Sequence, residues 1–261
     1  MSKGIAFLMY HELESQSRTL CEKSVGYTRY VVNEKDFRAQ LSMIVSDGWD
    51  GWNVTQALRV LSSGDVNKKG ICLTFDDGCL TDLSVAAPLL LQQRLSATFY
   101  VTVNHLGKRG YMTQTQVREL AKLGFEIGSH SMSHRHLNDL KFNDLKMELT
   151  DSKKQLEDIT GHEVVHFSCP GGRTSELIEK IAREANYHSV ATSRIGLNTP
   201  KSDNYALARI AVKKNIKTES LAKLCRGERL FFSQVQSIGL SAAKRVLGNS
   251  IYERVRARAL R

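Results

Sequence analysis

The chain has 261 residues, of which 41% are apolar and 25% are charged, and it contains only three prolines. This composition is typical of soluble globular proteins, and it excludes collagen, low-complexity disorder and disulfide miniproteins. The net charge is +10, and most of it lies after residue 216, where ten Lys or Arg accompany three Glu.

The five cysteines are scattered and form no C-x-x-C pair. We therefore expect free thiols rather than a disulfide framework or a structural zinc site built from clustered cysteines. The longest apolar runs fall far short of the roughly 20 residues that cross a bilayer, and the N-terminus lacks a signal-peptide pattern. These features predict a cytoplasmic protein.

Short strand-like runs alternate with helical patterns, which is typical of repeated βα units and predicts an α/β fold. The predicted strands span residues 5–10, 71–75, 97–103, 125–129, 164–167, 188–192 and 206–212. Helices are predicted from apolar residues at helical spacing within 37–45, 83–95, 117–123, 142–159 and 177–185. Gly48, Gly124 and Gly161 are predicted to end three of them.

From Thr218 onward the pattern is helical and basic, with breaks at Gly227, Gly239 and Gly248. We interpret residues 217–261 as a C-terminal helical extension of the domain formed by residues 1–216. Its basic residues predict contact with an anionic membrane surface, because apolar residues are interleaved with them. This concerns Lys244, Arg245, Arg254, Arg256 and Arg258. The alternative is a helix that packs on the domain with its charges in solvent.

Polar residues of the kind that bind metals follow the predicted strands, where α/β enzymes build their sites. Asp76 and Asp77 end a buried strand, and leaving both ionised there is costly unless a cation or an arginine compensates. His130 and His134 are four residues apart, so a helical turn or a tight loop would direct both at one ion. Two His and one Asp match a catalytic zinc site with an open position.

The segment from Thr74 to Gly78, followed by His130-Ser-Met-Ser-His134, resembles the polysaccharide deacetylases, the NodB-homology proteins or carbohydrate esterase family four. The resemblance covers roughly residues 5 to 212. It implies a distorted (β/α) barrel with about seven strands and removal of N-acetyl groups from a glycan.

The resemblance also implies roles for individual residues. Asp76 corresponds to the general base, whereas Asp77, His130 and His134 correspond to the ligands of a divalent metal. This metal is expected to be Zn²⁺, with Co²⁺, Fe²⁺ and Ni²⁺ as alternatives. Gly171 corresponds to the residue whose backbone N–H binds the oxyanion, and its neighbours Pro170, Gly172 and Arg173 are expected to contact substrate.

Two features depart from the common family pattern. The usual C-terminal Leu-x-x-His motif is absent, but Leu8-Met-Tyr-His11 has that form at the N-terminus. Because the first strand of a closed barrel lies beside its last, a permuted chain could deliver the acid from strand one, as in the deacetylases of exopolysaccharide synthesis that this N-terminus resembles. The arginine expected before Pro170 is also missing, and Arg209 or Arg173 could replace it. Arg209 is preferred because Leu-x-Arg-Ile ends the equivalent region in the subgroup of deacetylases that this sequence resembles.

The substrate remains open between a polysaccharide and a lipid-linked oligosaccharide. A deacylase or amidase acting on a small amide and a non-catalytic carbohydrate-binding barrel are the alternative functions. Nucleic acid is not an expected partner, because only the basic tail would favour it and no recognition motif is present.

Overall fold

The computed structural model describes residues 4–15, 20–65, 68–228 and 230. The strands in these residues are β1 Ile5–Tyr10, β2 Leu13–Glu14, β3 Val32–Asn33, β4 Asp50–Trp52, β5 Gly70–Phe75, β6 Thr98–Val101, β7 Glu126–Ser129, β8 His166–Ser168, β9 Ser189–Ala191, β10 Leu197–Asn198 and β11 Ile210–Ala211. The helices are α1 Val25–Thr28, α2 Glu34–Ser46, α3 Val54–Ser63, α4 Ala87–Gln92, α5 Gln114–Lys122, α6 Phe142–Thr160, α7 Glu176–Glu184 and α8 Thr218–Cys225.

The main sheet curls into a distorted barrel, which confirms the predicted fold class. Neighbouring strands run in the order β1, β5, β6, β7, β8 and β9, all in parallel. A parallel bridge joins Ala191 of β9 to Leu207, and β11, three residues later, pairs in parallel with β1. The first strand therefore lies beside the last, and the seven barrel strands are those predicted from the sequence.

Successive side chains of each strand point to opposite faces of the sheet, and this separates an outer core from an inner one. Ala6, Leu8 and Tyr10 of β1 belong to the large core beneath the surrounding helices. Ile5 and Phe7 point the other way, into a smaller core inside the barrel that Val54, Ala57 and Leu61 of α3 also enter. Helix α3 therefore contributes to the interior core from the N-terminal side of the strands.

Gly128 of β7 is required by the packing inside the barrel. It pairs with Tyr100 of β6, and a Cβ atom at Gly128 would lie 2.4 Å from the Tyr100 ring. Because glycine has no side chain, the fully buried Tyr100 ring can occupy this space inside the barrel.

Several predicted helical details need correction. The helix expected over 83–95 begins as a π-helical turn, Asp82–Ala86, and continues as α4 only to Gln92. Val45, Phe142 and Leu177 fit the apolar spacing of their helices but are exposed at 44%, 48% and 40%. Gly161 ends α6 in the left-handed conformation, as predicted.

Helix α8 is the described beginning of the predicted C-terminal extension. The basic residues from Lys244 to Arg258 lie outside the described residues, so the membrane prediction for them is untested. Among the described helices, none is long and apolar enough to span a bilayer.

Candidate active site

The residues predicted to form the active site cluster at the carboxyl ends of the barrel strands. Asp76 continues β5 on the same face as Cys72 and Thr74, and His130 continues β7 on the face of Gly128. Because side chains alternate along a strand, both point toward the barrel axis. Parallel strands bring these ends together, which is why residues far apart in the chain meet there.

Asp76 forms a buried, bidentate ion pair with Arg209. The Arg209 Nη1 and Nη2 atoms lie 2.7 and 2.8 Å from the Asp76 Oδ1 and Oδ2 atoms. Both residues are almost fully buried, at 2% and 1% exposure. Burial alone would raise the pKa of Asp76, but Arg209, with smaller contributions from His130 and His11, lowers that pKa below its usual value. Asp76 is therefore ionised at neutral pH.

Arg209 is itself fixed by several acceptors. Its Nε donates to the Thr192 carbonyl at 2.9 Å, and its Nη atoms also donate to the hydroxyls of Thr74 and Ser168. Of the two arginines considered from the sequence, Arg209 is thus the one on Asp76. Arg173 lies after the turn at Pro170–Gly172 and is partly exposed.

Asp77, His130 and His134 form a group of three side chains with ligand atoms within 4.8 Å of one another. The Asp77 Oδ1 atom lies 3.5 Å from His130 Nε2 and 3.3 Å from His134 Nε2. This oxygen is buried and accepts no hydrogen bond in the structure. A buried carboxylate oxygen facing two imidazole nitrogens is the arrangement expected around a divalent cation, so these residues fit a metal site.

A hydrogen bond of its ring leaves His130 in a form that can bind a metal. Its Nδ1 lies 2.7 Å from the Ser168 carbonyl, which requires a proton on Nδ1 and leaves the Nε2 lone pair directed at Asp77. Burial lowers the pKa of His130 to about 4, although Asp76 and Asp77 act in the opposite direction. His130 is therefore neutral at pH 7, as metal binding requires.

The loop that carries His134 is held by helix α6. Glu148 of α6 accepts hydrogen bonds from the backbone N–H and hydroxyl of Ser133 and pairs with Arg135 at 3.1 Å. The His134 N–H donates to the Ser131 hydroxyl at 3.0 Å. His130 and His134 thus meet across a loop rather than on a helical turn, and Glu148 is a supporting residue that the sequence analysis missed.

Backbone strain is concentrated in the same place. Asp77, Ser131 and His134 have φ angles of 83°, 68° and 59°, a region that residues with a side chain rarely adopt. Such conformations persist where the surroundings enforce them, and they commonly occur at functional sites. Here they direct two of the three ligand side chains inward.

His11 follows β1, next to the strand that carries Asp76. The Asp76 N–H donates to the carbonyl of Tyr10, and the positive charge of a protonated His11 would help to lower the pKa of both Asp76 and Asp77. The His11 ring stacks on Tyr30 with 5.1 Å between ring centroids. Its Nδ1 atom is buried without a hydrogen-bond partner. The N-terminal histidine therefore faces the same carboxylates as the other site residues.

The Pro170–Gly172 turn borders the site beyond β8. Gly171 has a φ of 68°, and a Cβ atom there would lie 2.9 Å from the His136 ring. The Gly172 N–H already donates to the Cys169 carbonyl at 2.7 Å, and its own carbonyl accepts from Ser193. Pro170 is buried. The turn is compact because both glycines adopt left-handed conformations.

Comparison with known proteins identifies the family. The sequence model of the family "Polysaccharide deacetylase" matches residues 63–190, the part of the chain that carries Asp76, Asp77, His130 and His134. The chain is 27% identical over 209 residues to the putative polysaccharide deacetylase YxkH of Bacillus subtilis, covering 80% of this chain and 71% of that protein. This chain belongs to the polysaccharide deacetylase family.

Two further relatives agree with this assignment. A peptidoglycan-N-acetylglucosamine deacetylase of Bacillus cereus is 33% identical over 128 residues, which are 49% of this chain and 58% of that protein. The solved deacetylase PplD of Streptococcus pyogenes, in complex with acetate, is 25% identical with a TM-score of 0.76 and covers 86% of this chain and 99% of that one. The family is one of hydrolases acting on carbon–nitrogen bonds other than peptide bonds, and its members generally depend on a metal.

Proposed function

We propose that this polysaccharide deacetylase removes N-acetyl groups from an amino-sugar polysaccharide or a lipid-linked oligosaccharide and releases acetate. One observation carries the proposal: the group of Asp77, His130 and His134 lies beside an ionised Asp76 held by Arg209, at the end of the barrel strands. A ligand group next to an independent base is what metal-assisted amide hydrolysis requires.

In the proposed site, Asp77, His130 and His134 would hold one divalent cation, with Zn²⁺ the first candidate because of the imidazole and carboxylate donors. When bound, such a cation supplies Lewis-acid activation of a water molecule and of the acetyl carbonyl. Asp76 would take the proton from the attacking water. Arg209 keeps this carboxylate ionised and fixes both of its oxygens, so it acts as a positioning residue.

The remaining steps are assigned to groups around the same cavity. The backbone N–H of Gly171 would donate to the developing oxyanion, a contribution typically worth about 3 kcal/mol per donor. His11 would donate a proton to the departing sugar amine. Pro170, Gly172 and Arg173 are proposed to border the sugar, and delivery of His11 from β1 is the feature that this chain would share with permuted exopolysaccharide deacetylases.

Substrate class is tested by acetate release from N-acetylated glycans, lipid-linked sugars and small acetamides, with and without a chelator. We expect turnover of glycans that stops with the chelator and returns with Zn²⁺. Turnover of small amides alone would favour the amidase alternative. Glycan binding without acetate release at full metal occupancy would favour the non-catalytic barrel.

We further propose a cytoplasmic location, with the basic C-terminal segment at the inner face of the membrane. Both parts rest on the sequence alone. Sedimentation with anionic vesicles tests the membrane part, and deletion of residues 241–261 should abolish binding that weakens with salt.

A further inference from the structure

A second group of potential ligands lies next to the active site and takes no part in the proposed reaction. Glu12, Cys21 and Cys79 offer one carboxylate oxygen and two sulfur atoms within 4.8 Å of one another. Glu12 and Cys79 are fully buried, at 1% and 0% exposure, whereas Cys21 is partly exposed. No sequence pattern indicates this group, because Cys21 and Cys79 lie 58 residues apart in the chain.

The spacing of the two sulfurs is that of two thiolates on one zinc ion. The Cys21 and Cys79 Sγ atoms lie 3.7 Å apart. Two ligands at about 2.3 Å from a tetrahedral zinc ion are separated by about 3.8 Å. The separation of the two sulfurs is therefore compatible with both of them binding one ion.

The surroundings of the two cysteines already fix their positions. Gly110, with a φ of 94°, lets Cys21 approach closely, because a Cβ atom there would lie 2.8 Å from the Cys21 Sγ. The Glu12 carboxylate accepts from the Cys21 backbone N–H at 2.9 Å and from the Tyr27 hydroxyl at 3.1 Å. These contacts hold the partly exposed segment around Cys21 against the buried Cys79.

A buried carboxylate beside the group supplies an independent indication of a cation. Asp82 is 0% exposed, and neither of its oxygens has a hydrogen-bond partner in the structure. Burial, together with the acidic groups of Asp77, Cys21 and Glu12, raises the pKa of Asp82 well above its usual value, so its carboxyl group holds a proton. A divalent cation nearby would favour the ionised form and give these unpartnered oxygens a favourable interaction.

We infer that Glu12, Cys21 and Cys79 form a second metal site that takes zinc, separate from the proposed catalytic site and adjacent to it. Glu12 directly follows His11, and Cys79 lies two residues after Asp77. An ion at this site would therefore tie the N-terminal segment that carries His11 to the loop that carries Asp77. The thiols lose their protons when the metal binds.

The experiment measures zinc content and cobalt absorption of the untagged, full-length protein. We expect close to two zinc ions per chain in the wild type, and about one in either Cys21→Ser with Cys79→Ser or His130→Ala with His134→Ala. After replacement of zinc by Co²⁺, a thiolate-to-cobalt charge-transfer band should appear in the wild type and in the histidine variant. The band should be absent from the cysteine variant and unchanged in the control Cys225→Ser, which alters a buried cysteine on α8.

Two results would overturn the inference. One is a wild-type protein that carries cobalt without a thiolate band, and this result does not depend on whether any variant folds. The other is a Cys21–Cys79 disulfide in protein purified without reductant, found together with only one metal ion per chain. Failure of the catalytic site would appear separately, as an absent histidine-dependent ion with the thiolate band retained.

Discussion

At the scale of single residues, the pair of Asp76 and Arg209 dominates the interior of the site. The two charges are shielded from water, and each Asp76 oxygen faces its own guanidinium nitrogen. Burying such a pair is not by itself stabilising, because desolvation offsets much of the attraction. Removing one partner is a different matter, since it leaves the other charge buried and uncompensated.

We therefore predict that Arg209→Gln lowers the free energy of unfolding by about 3–5 kcal/mol, measured by chemical denaturation. The matched control is Lys180→Gln, which removes the exposed pair with Glu184 and should cost less than about 1 kcal/mol. In the double variant with Asp76→Asn, the two costs should be strongly non-additive. If the losses in free energy of unfolding of the two single variants simply add, Asp76 and Arg209 are not energetically coupled.

The residues that carry the chemistry could be predicted because each follows a recognisable strand. The strand ends and the spacing of ligand types indicated Asp76, Asp77, His130 and His134 as candidates, whereas their division into a base and three ligands came from the family resemblance. Ser168, by contrast, stands alone in the sequence, and its contact with Arg209 follows only from the folded barrel. A lone hydroxyl residue carries no pattern, so its role depends on neighbours far away in the chain.

At the scale of elements, the position of His134 depends on helix α6. The Glu148 carboxylate receives the Ser133 N–H and hydroxyl and pairs with Arg135, and the Ser152 hydroxyl one turn later contacts Ser129 at 2.7 Å. Outer contacts of this kind orient metal ligands. The helix therefore supports the proposed metal site without contributing a ligand.

We predict that Glu148→Ala weakens zinc binding by about 10–100-fold while the fold is retained, measured by competition with a chelating dye. Asp158→Ala, which changes an exposed acidic residue on the same helix, should bind zinc like the wild type. Unchanged affinity in Glu148→Ala would show that the loop of His134 does not need this helix.

Most of the elements missed from the sequence are short. β2, β3 and β10 contain two residues each, too few for a period to appear. Helix α3 could have been found, because Asn53 and Gln56 form a capping box at the start of a segment with Val54, Ala57 and Leu61 at helical spacing. Its role in the interior core could not have been found, since that depends on barrel closure.

At the scale of the whole molecule, closure of the barrel decides which residues share the site. β1 lies between β5 and β11, so His11 at the end of β1 lies beside Asp76 and Asp77, which follow β5. This placement was predictable from closure and the position of His11. The meeting of Cys21 and Cys79 was not, because it depends on a loop between β2 and β3 that has no strand pattern.

We predict that His11→Asn slows acetate release from N-acetylglucosamine oligomers by about 10²–10⁴-fold. The same variant should act nearly normally on an aryl acetate, because an aryloxide leaves without protonation. Asp76→Asn serves as the control, since loss of the base should slow both substrates. Equal losses on the two substrates in His11→Asn would exclude His11 as the proton donor to the amine.

The most direct test compares acetate release by the wild type and Asp76→Asn at equal zinc occupancy, with zinc content measured in the same samples. The variant should keep the ion held by Asp77, His130 and His134 and lose about 10²–10⁴-fold in turnover, because only the proton acceptor is missing. Loss of that ion together with activity would make Asp76 a ligand rather than the base. Wild-type turnover in the variant would contradict the proposed chemistry of the site.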